Sequence, residues 1–266
     1  MVRHPSFFSE NVIAQRIKSG RGQGQGSKYQ PWLQIQDVPS DGRSHRIYSY
    51  KTKRVHHLLS DLELATFLMF DWSESVLDIR EQFPLIRDDT RSIAQNEGIK
   101  HPSVRGVDQV MTTDFLIDAK EPFQKQFAVQ VKYGESFRDE RTIEKLDLER
   151  CYWRQKGTPW VAITEQDIDI VIKKNIEWLY PAQTDDITTA KRIPELMAAL
   201  PAAISRFPEL TIIEACKRID LAYGLELGQS LQDLRLLMAN RLVIFDIRKP
   251  VRQLKISDLT FMQLSE

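Results

Sequence analysis

The chain of 266 residues is poor in cysteine: Cys151 and Cys216 form neither a CxxC pair nor a disulfide framework. That usage suits a reducing, cytoplasmic setting. No apolar run approaches the roughly 18 residues that cross a bilayer, and the opening MVRHPSFFSENV lacks the apolar core of a secretion signal. A zinc-type cluster is missing too, because His56 and His57 are adjacent and have no partners at ligand spacing. Net charge is zero, with 37 basic and 37 acidic residues, yet its distribution is uneven. Residues 1–57 carry ten Lys/Arg and three Asp/Glu, a balance of +7. Residues 58–167 carry fourteen against twenty-one, or −7, and residues 168–266 carry thirteen of each. A basic arm ahead of an acidic region suits a protein that holds a polyanion near carboxylates, and a solvated tail is the plainer alternative.

What remains is ordinary globular composition, 42% hydrophobic and 28% charged. Within the arm, SGRGQGQGSKYQPW reads as a flexible loop. Its Gly22, Gly24 and Gly26 have no strand before them or helix after them to frame a phosphate loop. HHLLSDLELATFLMF then predicts a helix, with Leu58, Leu62, Ala65 and Met69 spaced for a buried stripe. SVLDIREQFPL, VDQVMTTDFLID, QFAVQVKYG and TPWVAITE are β-like segments bounded by turn residues. Between the last two, DERTIEKLDLERCYWRQKG predicts a helix with Ile143, Leu146, Arg150 and Trp153 in register and Gly157 at its end. Lys145 and Glu149, spaced i, i+4, read as a solvated pair. The order predicts a mixed α/β (α+β) domain over residues 1–167.

Residues 168–266 change character. Helical stretches dominate, and CKRIDLAYGLELGQSL followed by the apolar LVIFDI has the plan of a winged helix-turn-helix. The second helix, Ser230 to Arg241, carries Arg235 and Arg241 against Asp233. Docking to a protein is therefore as good a reading as DNA readout.

Two runs near the middle pose a problem. DFLI and FAV look buried on both faces, yet Asp114, Gln130 and Lys132 interrupt them. Side chains alternate along a strand, so Gln130 and Lys132 share a face. The short connection with Pro122 predicts an antiparallel hairpin that brings Asp114 beside them. Either the face is solvated, or a charged site is built into the sheet, where a buried acid and lysine must be paired or metal-bound. Glu63, three residues after Ser60, reads on local sequence as half of a capping box.

A helical Glu, then Asp, then Q-x-K on the next strand resembles the restriction-endonuclease-like nuclease superfamily. The wider segments PWLQIQDVPSDGRSHRIYSYKTKRVHHLLSDLELATFL, LDIREQFPL, IKHPSVRGVDQVMTTDFLID, QFAVQVK and NIEWLY resemble the TnsA family, endonuclease subunits of heteromeric cut-and-paste transposases. The resemblance implies a restriction-endonuclease-like mixed sheet flanked by helices, followed by a winged-helix domain. It implies catalytic positions at Glu63, Asp114, Gln130 and Lys132. Metal ligands would be Glu63, Asp114, the Gln130 amide and the Val131 carbonyl, for one or two Mg²⁺ ions with Mn²⁺ as a substitute. Gln130 stands where the superfamily mostly has an acid, as it does across TnsA proteins. The implied substrate is DNA at transposon ends, cut at the 5′ strand. The implied partners are a TnsB-type transposase and a TnsC-type ATPase regulator, in the bacterial cytoplasm. A stand-alone nuclease and a non-catalytic DNA-binding adaptor are the alternatives. Arg80, Lys100, His101 and Arg105 are weaker candidates for DNA contact.

Overall fold

The computed structural model describes residues 8–38, 42–122, 125–184 and 186–263. Residues 1–7 and 39–41 of the arm, and 123–124 of the hairpin connection, lie outside the described residues. The chain divides into two compact units, Met1–Ile168 and Asp169–Glu266, one residue beyond the predicted boundary.

The first unit begins with helix α1 (Glu10–Lys18) and a hairpin of β1 (His45–Ser49) and β2 (Arg54–Leu58). Helix α2 (Asp61–Trp72) leads into β3 (Val76–Pro84), α3 (Arg87–Asn96) and a short hairpin of β4 (Ser103–Val104) and β5 (Val107–Asp108). Then come β6 (Thr112–Ala119), β7 (Gln126–Val131), α4 (Glu140–Gln155) and β8 (Trp160–Ile163). The central sheet runs β3-β6-β7-β8. Its first two pairings are antiparallel and β7–β8 is parallel, because α4 makes the crossover. Ala128 packs with Leu148, Tyr152 and Trp153 of α4, while Phe127 meets Phe70 of α2 at 5.8 Å. Consecutive strand residues face opposite ways, so the two helices cover opposite faces of the sheet.

The expected mixed α/β architecture is present, with additions. α3 carries few apolar residues and buries only Thr90, Ile93 and Ala94, which left its sequence without a stripe to read. The helix predicted from His56 onward starts at Asp61, because Leu58 ends β2. In α4, Leu146 and Trp153 are buried as expected, but Ile143 is exposed and Arg150 pairs on the surface with Asp147.

The reading of the arm as a flexible loop is overturned for its described part. Gly22 N–H donates to Gln30 O and Gln30 N–H to Gln23 O, closing the glycine stretch on itself. Gly26 N–H donates to Asp78, Tyr29 hydroxyl to Glu81 O, and Trp32 N–H to Gln82 O, all on β3. Tyr29 and Trp32 are buried, and Arg16 and Arg21 both pair with Asp37. Two of the arm's ten basic side chains are thus paired within it.

The hairpin is joined to β3 by a buried ion cluster. Glu81 accepts from Arg54 at 2.5 and 2.8 Å, from His56 Nδ1 at 2.9 Å and from His57 N–H at 3.2 Å. Burial works to raise the Glu81 carboxyl, but His56 and Arg54 outweigh it and hold it well below its ordinary range.

The second unit comprises α5 (Ile170–Leu179), α6 (Ile187–Ile204), α7 (Ile212–Tyr223), α8 (Gln229–Ala239) and the paired strands β9 (Val243–Ile244) and β10 (Thr260–Phe261). A reciprocal Thr211–Glu214 cap starts α7, and Gly224, with φ 64°, ends it. Asp220 then accepts from Gly228 N–H and Ser230 N–H, which fixes the turn into α8. The predicted strand LVIFDI is only two residues long, because Asp246 takes Arg248 N–H and Lys249 N–H into a turn. Arg235 of α8 donates to Trp178 O and lies over that indole at 5.2 Å, so packing against α5 occupies it. Among the described residues, no helix is long and apolar enough to cross a membrane.

At Gly22 (φ 76°) an added Cβ would lie 2.1 Å from Pro84 Cγ, so the site refuses a methyl on both backbone and steric grounds. Gly22→Ala is expected to lower stability by about 1–3 kcal/mol, measured as a reduced midpoint in urea unfolding.

Candidate active site

The β6–β7 ladder pairs Phe115 with Val129 through Asp118 with Gln126 and stops before Asp114. From there two side chains replace main-chain partners. Asp114 N–H donates to Gln130 Oε1 at 3.1 Å, and Val131 N–H donates to Asp114 Oδ2 at 2.8 Å. Lys132, just past β7, donates to Val131 O at 3.0 Å and places Nζ 3.7 Å from Asp114 Oδ2. Asp114 and Gln130 are both 6% exposed, so this is no solvated ribbon face. The antiparallel pairing brings Asp114, Gln130 and Lys132 to one place.

Glu63 joins them from the first turn of α2. Ser60 caps that helix by accepting from Glu63 N–H at 3.0 Å, and its hydroxyl donates back to Glu63 Oε1 at 3.2 Å. Leu59 N–H donates to Glu63 Oε2 at 2.9 Å. Capping and site membership therefore belong to the same side chain, since Glu63 also shares a donor with Asp114. The amide of Gln82 sits 3.4 Å from Glu63 Oε2 and 3.2 Å from Asp114 Oδ1. Burial, with the Asp114 charge added, pushes the Glu63 carboxyl up to about 8. Burial works to lower the Lys132 ammonium, but Asp114, Glu63 and Glu149 outweigh it and hold it above its ordinary value.

Gln82 was not singled out by sequence reasoning, because it ends a polar run with Arg80 and Glu81. It is 2% exposed, with φ 48°, a left-handed conformation that costs a non-glycine residue roughly 1–3 kcal/mol. Alternation breaks there: Arg80 lies 5.5 Å over the ring of Phe83, three positions away. Glu149 was misread. It is not a solvated partner of Lys145 but 2% exposed, accepting from Thr113 Oγ1 and, at 2.8 Å, from Trp160 Nε1. Its place between Leu146 and Trp153 on the buried stripe was the available signal.

The candidate DNA contacts fare unevenly. Arg80, on the edge strand β3, is 6% exposed and bound by both oxygens of Asp118 at 2.7 and 2.8 Å, so it does not reach the surface. His101 is held by Thr90 at 3.0 Å and Pro102 O at 3.2 Å, and burial lowers its pKa. Lys100 and Arg105 are exposed, Arg105 in the β4–β5 turn.

Among the described residues, no group of three or more His, Cys, Asp and Glu side chains could hold a metal. The site instead offers two carboxylates, an amide oxygen and a main-chain carbonyl. All are hard oxygen donors, and burial beside the Asp114 charge makes the Glu63 anion costly, a cost that a divalent cation would relieve.

Glu149 generates a pH test. Burial raises its carboxyl from 4.5 to about 8, so the folded state binds a proton that the unfolded chain releases earlier. Its stabilising share is complete below pH 4.5 and is lost as pH rises through about 8. Glu149→Gln should therefore lose stability less steeply than the unaltered protein across that interval, read from unfolding midpoints against pH.

Comparison with known proteins gives the family. Residues 73–165 match the family model described as TnsA-like endonuclease N terminal, and residues 167–247 match TnsA endonuclease C terminal. The chain is 55% identical over 267 residues to the Escherichia coli "Transposon Tn7 transposition protein TnsA", covering 99% of this chain and 96% of that protein. Membership implies a phosphodiester hydrolase acting on DNA with a metal cofactor. The chain belongs to the TnsA endonuclease family.

Proposed function

We propose that Glu63, Asp114, Gln130 and Lys132 form the hydrolytic site, and that it cuts the strand carrying the transposon's 5′ end during excision. The observation that carries this reading is the convergence of two buried acids and one ammonium at the open end of the β6–β7 ribbon. Asp114, the Gln130 amide oxygen and the Val131 carbonyl would hold Mg²⁺, with Mn²⁺ as a substitute, and Glu63 a second ion or its water. Bound there, the ions would lower the pKa of water and offset charge on the phosphate oxygens.

The chain's own groups have separable tasks. Val131 N–H fixes one Asp114 oxygen, which sets the direction of the carboxylate. Gln130 accepts from Asp114 N–H, and its amide oxygen keeps a second lone pair for a cation. Lys132, with Nζ 3.7 Å from Asp114 Oδ2, would orient or activate the attacking water or steady the phosphate.

The second unit supports a docking role in this reading. Arg235 is occupied by Trp178 and Asp233 by Arg192, which leaves α8 poorly equipped for base readout. A TnsC-type ATPase regulator is the proposed partner of that unit, and a TnsB-type transposase the enzyme that cuts and joins the 3′ ends.

In a reconstituted excision reaction, Asp114→Ala should abolish cleavage at the 5′ ends and leave cleavage at the 3′ ends intact. Gel analysis of both strands decides the matter: a response of both cuts, or of neither, refutes the assignment.

A further inference from the structure

Gln82 touches both acids of the site, yet the reaction as described gives it no part. Its amide orientation is set from behind, since Thr112 Oγ1 donates to Gln82 Oε1 at 3.2 Å. That bond turns the Nε2 donors toward Glu63 Oε2 and Asp114 Oδ1. The main chain is fixed independently, because Trp32 N–H of the arm donates to Gln82 O at 3.2 Å. A buried side chain in a left-handed backbone, oriented at one end and pointing at two carboxylates with the other, has the marks of preorganisation.

We infer that Gln82 is a positioning residue: its amide draws Glu63 and Asp114 to a common point, so that they bind divalent cations as a preformed pair. The inference rests on the proposed metal-binding role of those acids. Leu59 and Ser60 tie Glu63 to the start of α2, so the Gln82 amide is the donor that links it to the opposite acid. The neutral amide satisfies both without adding charge, and it keeps Glu63, on α2, in step with Asp114, on β6. Trp32 extends the dependence to the arm.

The test is Mn²⁺ binding to the full-length protein without DNA, followed by the electron paramagnetic resonance signal of free Mn²⁺. Gln82→Leu keeps the bulk, removes both donors and should weaken Mn²⁺ binding about tenfold or more, the usual effect of losing an orienting partner. Thr112→Val removes only the group that orients the amide and should weaken binding in the same direction by less. Cooperative thermal unfolding shows that each variant is folded, and where Gln82→Leu is not, Thr112→Val decides. Unchanged Mn²⁺ affinity in a folded Gln82→Leu, or in Thr112→Val when it must decide, overturns the inference. Asp114→Ala separates the two levels. If it abolishes binding while Gln82→Leu does not weaken it, only the role of Gln82 is lost. If Asp114→Ala still binds Mn²⁺, the metal reading fails and this inference with it.

Discussion

The site depends on two side chains standing in for main-chain hydrogen bonds. Strands that diverge normally orphan their N–H groups, a cost that confines most sheets to regular ladders. Here Asp114 takes the N–H of Val131 and Gln130 takes the N–H of Asp114, so the ribbon opens with its donors satisfied. The same substitution fixes the carboxylate. Asp114 is aimed because the backbone needs it, and the fold does not have to spend a separate set of contacts on orienting it.

A second constraint sets the position of Glu63. Only Leu59 and Ser60 separate β2 from α2, so the hairpin dictates where the helix starts. The hairpin is anchored in turn by Glu81, whose carboxylate is shared by Arg54 and His56 at 0% exposure. Removing one partner from such a buried cluster typically costs about 3–5 kcal/mol, because the remaining charge is stranded. Glu81 and Gln82 are neighbours in β3, so one short segment fixes the hairpin on one side and contacts both acids on the other.

The sheet, α2 and α4 were legible because their apolar periodicity is strong, and polar residues in apolar strands located Asp114, Gln130 and Lys132. That logic applied equally to Arg80, Glu81 and Gln82, but a run of three polar residues reads as a weak strand and not as three tertiary contacts. Glu149 was hidden by Lys145, since i, i+4 spacing proposes a local partner and cannot see Thr113 or Trp160 across the fold. The arm was misjudged because glycine-rich polar sequence lacks a hydrophobic pattern. Its order comes from main-chain bonds to β3 and the burial of Tyr29 and Trp32. The second unit was read well in its helices and poorly in its wing, where Asp246 ends a strand by a turn that hydropathy does not register.

The ion cluster at Glu81 bears on where the endonuclease half truly begins. The match to the N-terminal family model opens at residue 73, which suggests a tidy place to trim the gene. A polypeptide started there would retain every strand of the central sheet, yet it would strand Glu81 without Arg54 and His56 and discard Glu63 altogether. The smallest autonomous version of this half must therefore reach back at least to β2.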